Sequence, residues 1–248
     1  MSNTQRPIII AIEGNIGAGK STLLKHLEQA FGVKAAFMPE PVDIWTTIKD
    51  ASGEHILSKF YADPAKYAFS FQIMAYSTRL AMLRKTIEDH PECEIIICER
   101  SLEADSHIFA KMLYEDGMIE DINYQIYRRL YADTSANYMM DGVVYLDADA
   151  EKCMERVVKR GREGESKISV EYLAKCRKYY NEWLAVPESQ SDIKCLTIDA
   201  NTDVSYNNDE GNVWILQIYQ FVEIIKRQMH QQNKRSINQG EETYSFWT

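Results

Sequence analysis

A chain of 248 residues with 28 basic and 37 acidic side chains has a formal net charge of −9, which excludes the broad basic face that nucleic-acid polymers and anionic membranes require. With 45% apolar residues and only 11 Gly and 6 Pro, it is neither a disordered chain nor a fibrous repeat. Five scattered cysteines without a C-x₂-C pair fit neither a disulfide framework nor a zinc site, and they point to a reducing, cytoplasmic setting.

In chain order, a short polar start leaves no room for a signal or transit peptide before Ile8–Ile12, an unbroken apolar run that reads as a strand buried on both faces. A glycine-rich turn leads from it into a helix over Ser21–Phe31. Val33–Met38 is the next strand and Glu40 follows it. Asp63-Pro64 opens a long helix that runs to His90 and stops at Pro91; it carries Phe71, Gln72 and Arg79. Ile95–Cys98 is a third strand, followed by Glu99-Arg100-Ser101. Val143–Leu146 is a fourth, and a helix after Asp149 ends at Gly161. Ser169 caps the helix that carries Tyr172, Tyr179 and Trp183, Ile193–Ile198 is the fifth strand, and Trp214–Met229 is a last amphipathic helix. This alternation predicts an α/β fold with a parallel sheet covered by helices on both sides. No run reaches the length of about 18 apolar residues that spans a membrane. Without a Pro/Gly/Ser linker, residues 1–232 read as one domain, and 233–248 as a polar, mobile tail.

Gly14-Asn15-Ile16-Gly17-Ala18-Gly19-Lys20-Ser21-Thr22 fits G-x-x-x-x-G-K-[ST] between a strand and a helix. Glycines in that context let backbone N–H groups turn inward around phosphate oxygens, the helix N-terminus adds positive charge, and Lys20 neutralises the β- and γ-phosphates. Ser21 is then placed to ligate Mg²⁺. The glycine spacing is G-x-x-G-x-G, not the G-x-G-x-x-G of dinucleotide folds, so ATP with Mg²⁺ is expected ahead of NAD.

A phosphate loop alone does not say what receives the phosphate. Glu40 and Glu99 follow the second and third strands; if those strands neighbour the first, both carboxylates reach the loop's edge of the sheet. One can take a proton from an attacking hydroxyl, a role that suits Glu40, and the other can be a metal partner, which suits Glu99. Arg156, Arg160 and Arg162, with Gly161 and Gly164 as hinges, read as a clamp over ATP spanning about residues 160–168. Trp45, Tyr61, Phe71, Gln72, Arg79 and Asp105 supply aromatic and polar groups for an acceptor pocket. A flat base could stack there while the Gln72 amide pairs with its edge.

The combination resembles the deoxynucleoside kinase family over nearly the whole chain: Glu13–Thr22, Glu40-Pro41-Val42, Asp63-Pro64, Phe71-Gln72, Glu99-Arg100-Ser101 and Arg160-Gly161-Arg162 with Glu165. The resemblance implies a P-loop kinase fold with a five-stranded parallel sheet and an arginine-rich lid, assembled as a homodimer. It also implies transfer of the ATP γ-phosphate to a deoxynucleoside 5′-hydroxyl, with a deoxynucleoside triphosphate as a feedback inhibitor. By position it makes Glu40 the base, Arg100 the active-site arginine, Glu99 the residue that holds Mg²⁺ through water, and Gln72 the base reader. Tyr61 and Glu165 hold the sugar 3′-hydroxyl, Trp45 is a pocket wall, and Arg156, Arg160 and Arg162 are lid arginines. Asp203 and Val204 close a segment, 199–204, that matches the adenine-contacting loop loosely. Arg79 and Asp105 fall where members for deoxycytidine and deoxyguanosine pair an Arg with an Asp, so thymidine is disfavoured. A buried pair also offers hydrogen-bonding sites to an amino group and not to a methyl.

Two rivals are weaker. A nucleoside monophosphate kinase of the thymidylate kinase type must bind a phosphate on its acceptor, which Glu40 would repel. A guanine switch should show N-K-x-D, yet Asn233-Lys234-Arg235-Ser236 lies in the tail; a non-catalytic relative would be expected to lose Lys20, Glu40 or Arg100.

Overall fold

The computed structural model of the chain describes residues 6–185, 193–206 and 208–244, with side-chain surroundings as far as residue 231. Strand β1 (Ile8–Gly14) leads into helix α1 (Lys20–Phe31), and β2 (Ala36–Met38) is followed by α2 (Val42–Thr47), α3 (Ile56–Ala62) and α4 (Pro64–Asp89). Next come β3 (Ile95–Glu99), α5 (Leu102–Ala104), a π-helical turn over Asp105–Ala110, α6 (Lys111–Glu115) and α7 (Asp121–Thr134). The remainder is β4 (Gly142–Asp147), α8 (Ala150–Arg160), α9 (Val170–Leu184), β5 (Lys194–Asp199) and α10 (Asp209–Tyr244). The five strands form one sheet in the order β2-β3-β1-β4-β5, every pair parallel. This is the expected α/β P-loop kinase architecture, and β1 does neighbour β3, which neighbours β2.

The apolar runs work as read. Ile8 through Ile12 and Ile95 through Cys98 are buried along their whole length, because helices pack on both faces of a parallel sheet. A large cluster gathers Ile9, Tyr76, Tyr127 and Tyr180 on one side, and a second core of Trp45, Phe60 and Phe71 joins α2, α3 and α4. Helix signals held too. The Asp63 side chain accepts from the Lys66 N–H at 3.3 Å, and Pro64 is the first residue of α4. Ser169 accepts from the Tyr172 N–H at 3.2 Å, and Gly161 ends α8 at a left-handed φ of 61°.

Two boundaries differ from the sequence reading. The second strand begins at Ala36 and not Val33, since Gly32–Lys34 forms a 3₁₀ turn that leaves Val33 94% exposed. The last helix starts at Asp209 and continues to Tyr244, through most of the segment read as a tail; Gln, Lys, Arg and Glu are good helix formers and no proline interrupts them. The rest of that tail, 245–248, lies outside the described residues. The chain divides into two compact units, one ending at Val204 and one starting at Ser205, where the sequence reads as one domain to residue 232. Among the described residues no helix is long and apolar enough to cross a membrane. Among the described residues no cysteine is joined in a disulfide.

Candidate active site

Parallel strands bring their carboxyl ends to one edge, so the loops after β1, β2 and β3 deliver the phosphate loop, Glu40 and Glu99-Arg100 to the same place. Gly14, Gly17 and Gly19 all take positive φ, and a Cβ on Gly14 would stand 2.7 Å from the Leu146 carbonyl oxygen. Asn15 is buried and donates from Nδ2 to the Leu173 carbonyl at 2.8 Å, while its Oδ1 accepts from the Ile16 N–H at 2.9 Å. Ala18 is buried beneath the loop, and Thr22 is exposed on α1.

Lys20 folds back over this turn, its Nζ 2.8 Å from the Asn15 carbonyl oxygen. Burial pushes its ammonium down to about 8, helped by Arg100 and opposed by Glu99, Glu40 and Glu13. Beside it, Ser21 Oγ donates to Glu99 Oε1 at 2.9 Å. A hydroxyl and a carboxylate side by side are hard oxygen donors, the set that Mg²⁺ takes, so these two residues fit that ion.

Glu40 accepts from Arg100 Nε at 2.9 Å and lies 3.5 Å from Arg79 Nη2. Burial raises its carboxyl, but Arg100, Arg79 and Lys20 together outweigh burial and hold it at about 2. Arg79 is fully buried on α4. It donates from Nε to Asp105 Oδ2 at 2.8 Å and from Nη1 to the Glu99 carbonyl at 2.9 Å. Burial raises the Asp105 carboxyl and Arg79 draws it back down. Asp105 opens the π-helical turn, an irregularity often found where a site needs a side chain re-aimed.

The aromatic residues expected to line an acceptor pocket lie on α2, α3 and α4 and pack together. Phe60 stacks on Phe71 with centroids 4.5 Å apart, Trp45 meets Phe71 edge-on at 5.4 Å, and Tyr61 lies against Phe60 at 5.0 Å. Trp45 Nε1 donates to Thr78 Oγ1 at 2.9 Å. Gln72, on the same helix as Phe71, is 2% exposed, and its Oε1 has no hydrogen-bond partner. A buried acceptor left unmet costs about 1–3 kcal/mol, which a ligand N–H would remove. Burial, then the charges of Glu165 and Glu40, raise the Tyr61 phenol, so this hydroxyl lies in the field of both carboxylates.

The three arginines expected to form a lid divide between two partners. Arg160 grips buried Glu165 with contacts of 2.7 and 2.8 Å, and Arg162 reaches the same carboxylate at 3.2 Å. Arg156 donates to Asp203 Oδ1 at 2.9 Å and to the Thr202 carbonyl at 3.1 Å, and its Nη1 is buried with no partner. Asp203 is exposed and half-buried Val204 follows it. The sequence reading gave no role to Glu13 or Tyr180, yet both are buried against Arg100. An ionisable residue ending an apolar strand was the available signal for Glu13; nothing local marks Tyr180.

The family model described as deoxynucleoside kinase matches residues 10–223. Among curated relatives, a deoxycytidine kinase 1 of Xenopus laevis is 31% identical over 238 residues, covering 86% of this chain and 89% of its own. The human deoxycytidine kinase is 33% identical over 224 residues, 78% of this chain and 84% of its own. A mitochondrial deoxyguanosine kinase of Xenopus laevis is 28% identical over 226 residues, with coverages of 82% and 85%.

Proposed function

Because this chain belongs to the deoxynucleoside kinase family and is thus a phosphotransferase, we propose that it moves the γ-phosphate of ATP to a deoxynucleoside 5′-hydroxyl, yielding the monophosphate and ADP. The observation that carries this reading is Glu40: a carboxylate held ionised by Arg100 and Arg79 beside a phosphate loop suits an acceptor that arrives as a neutral hydroxyl. It orients that hydroxyl toward the γ-phosphorus. Being a weak base, it takes the proton late, as the new O–P bond forms in a loose transition state.

The loop amides of Gly14–Gly19 and the Lys20 ammonium hold the phosphates, and Arg100, with its guanidinium beside Glu40, steadies charge on the group in transit. Ser21 and Glu99 would hold Mg²⁺, which when bound spreads the charge of the transferring phosphoryl group. Arg156, Arg160 and Arg162 close over ATP and exclude water, and Asp203 and Val204 flank the adenine. Tyr61 and Glu165 take the sugar 3′-hydroxyl, Trp45 and Phe71 face the base, and Gln72 reads its edge. The Arg79–Asp105 pair favours deoxyadenosine, deoxyguanosine or deoxycytidine over thymidine. A deoxynucleoside triphosphate product is a feedback inhibitor in this reading. Five cysteines outside any disulfide fit the reducing cytosol as the place of action. The working form is a homodimer, which light scattering would find at twice the 28.7 kDa chain mass.

The test is to incubate the protein with Mg-ATP and each of deoxyadenosine, deoxyguanosine, deoxycytidine, thymidine and a deoxynucleoside monophosphate, identifying products by mass, with Glu40→Ala in parallel. A 5′-monophosphate from one of the first three, lost in the variant, is expected. Diphosphate formed only from the monophosphate would move the protein to the thymidylate kinase type of reaction, and ATP binding without transfer would make it a non-catalytic relative.

A further inference from the structure

Glu13 is the penultimate residue of β1, just ahead of the phosphate loop, and its side chain is fully buried. One carboxylate oxygen accepts from Ser101 Oγ at 2.7 Å and the other from the Tyr180 hydroxyl at 2.8 Å. Tyr180, on α9, accepts in turn from Arg100 Nη1 at 2.5 Å, a nitrogen that also donates to the Gly14 carbonyl at 3.0 Å. Arg100 Nε then donates to Glu40 at 2.9 Å. A buried chain of carboxylate, phenol, guanidinium and carboxylate therefore runs from Glu13 to Glu40.

The direction of each bond in this chain follows from the groups themselves. A guanidinium only donates, so the Tyr180 oxygen accepts from Arg100 and its phenolic proton is left for Glu13, whose carboxyl burial raises and Arg100 draws back down. With Tyr180 and the Gly14 carbonyl on Nη1 and Glu40 on Nε, the guanidinium plane is fixed at both ends. Arg100 lies over the Phe109 ring at 4.8 Å and has a left-handed backbone, φ 66°. A non-glycine residue held there is strained and persists only where its surroundings over-determine it. Four separate elements do so here: β1, the loop after β2, the π-helical turn and α9.

We propose that Tyr180 and Glu13 are positioning residues for phosphoryl transfer, locking the Arg100 guanidinium against Glu40 so that this carboxylate stays aimed at the acceptor hydroxyl. The inference rests on the kinase reading above for its kinetic consequence, while its geometric content stands apart from it. Tyr180→Phe removes the hydroxyl but keeps the ring, which stacks on Tyr145 at 5.3 Å.

Two measurements on the full chain separate positioning from simple support. Side-chain ¹³C NMR of the Glu carboxyls should find Glu40 titrating higher in Tyr180→Phe, because Arg100 is loosened while Arg79, Lys20 and Arg162, the other cations acting on Glu40, stay in place. In kinetics, kcat should fall about 10–100-fold, the cost of misplacing a reacting group by about an ångström, with KM for ATP and nucleoside within about twofold. Glu13→Gln, which keeps size but has one acceptor oxygen, should fall between wild type and Tyr180→Phe on both readouts. An unmoved Glu40 titration would overturn the proposal. So would a loss of activity that tracks only a lowered melting temperature. Wild-type protein that makes no deoxynucleoside monophosphate would sink the kinase reading instead, and the titration would still decide the positioning.

Discussion

Glu40 and the two arginines against it show how one residue's chemistry is set by its neighbours. Burial alone would raise this carboxyl, and the cations bring it to about 2 against an ordinary 4.5. The sign follows: Glu40 contributes stability fully above 4.5 and loses it as pH falls through about 2. The same shift keeps it ionised well below neutral pH. Wild-type kcat/KM should therefore show no acid limb from Glu40 above about pH 4, whereas Arg100→Met, with burial less opposed, should bring one in between about pH 4 and 6. A pH–rate profile of both proteins checks this. Arg79 and Asp105 are a different case, since each is buried and each compensates the other. Arg79→Ala alone should cost about 3–5 kcal/mol of stability by stranding a buried carboxylate, and the double change to Ala should cost less than the two single changes added together. Denaturant titration of the three variants measures that coupling.

Elements matter through the backbone they place. Gly17 has φ 86°, and a Cβ there would press into the Cys153 carbonyl on α8 and lie 3.1 Å from Val157. The tight turn of the phosphate loop is thus also a docking surface for the helix that carries Arg156 and Arg160. Gly17→Ala should raise KM for ATP by about tenfold or more and destabilise by about 1–3 kcal/mol, because neither the left-handed turn nor the close packing tolerates a methyl. Steady-state kinetics and thermal melts read the two effects separately. The same scale shows where sequence patterns stop being informative. Asp63-Pro64 and Ser169 marked two helix starts to the residue, since capping is a local interaction. The π turn at Asp105–Ala110 carries no local signature, and Val33 looks strand-like although it sits in the middle of a solvent-exposed 3₁₀ turn. Helices α2 and α3 are too short to set a period, and α7 leaves Ile122 and Ile126 exposed while burying only Tyr127.

At the scale of the whole molecule, the sheet's central strand carries the site. Ile10 has no exposed surface and pairs with Ile97 of β3 on one side and Gly142 of β4 on the other. Ile10→Ala should cost about 2–5 kcal/mol, lowering the melting temperature of the first unit by several degrees while leaving KM values little changed in the folded fraction. Calorimetry beside kinetics tests that separation.

The sequence by itself determined the α/β class, the phosphate loop with its flanking strand and helix, and the charged residues at the ends of the strands. These are local facts, written in apolar runs, glycine spacing and capping residues within a few positions of one another. Only the tertiary structure decided that β3 inserts between β2 and β1, which brings Arg100 to Glu40 across 60 residues and Tyr180 to Glu13 across 167. It also decided that Arg156 meets Asp203 across 47 residues, while Arg160 and Arg162 hold the nearby Glu165. No periodicity encodes such pairs, because a buried charge takes its partner from whatever element the strand order and helix packing bring beside it.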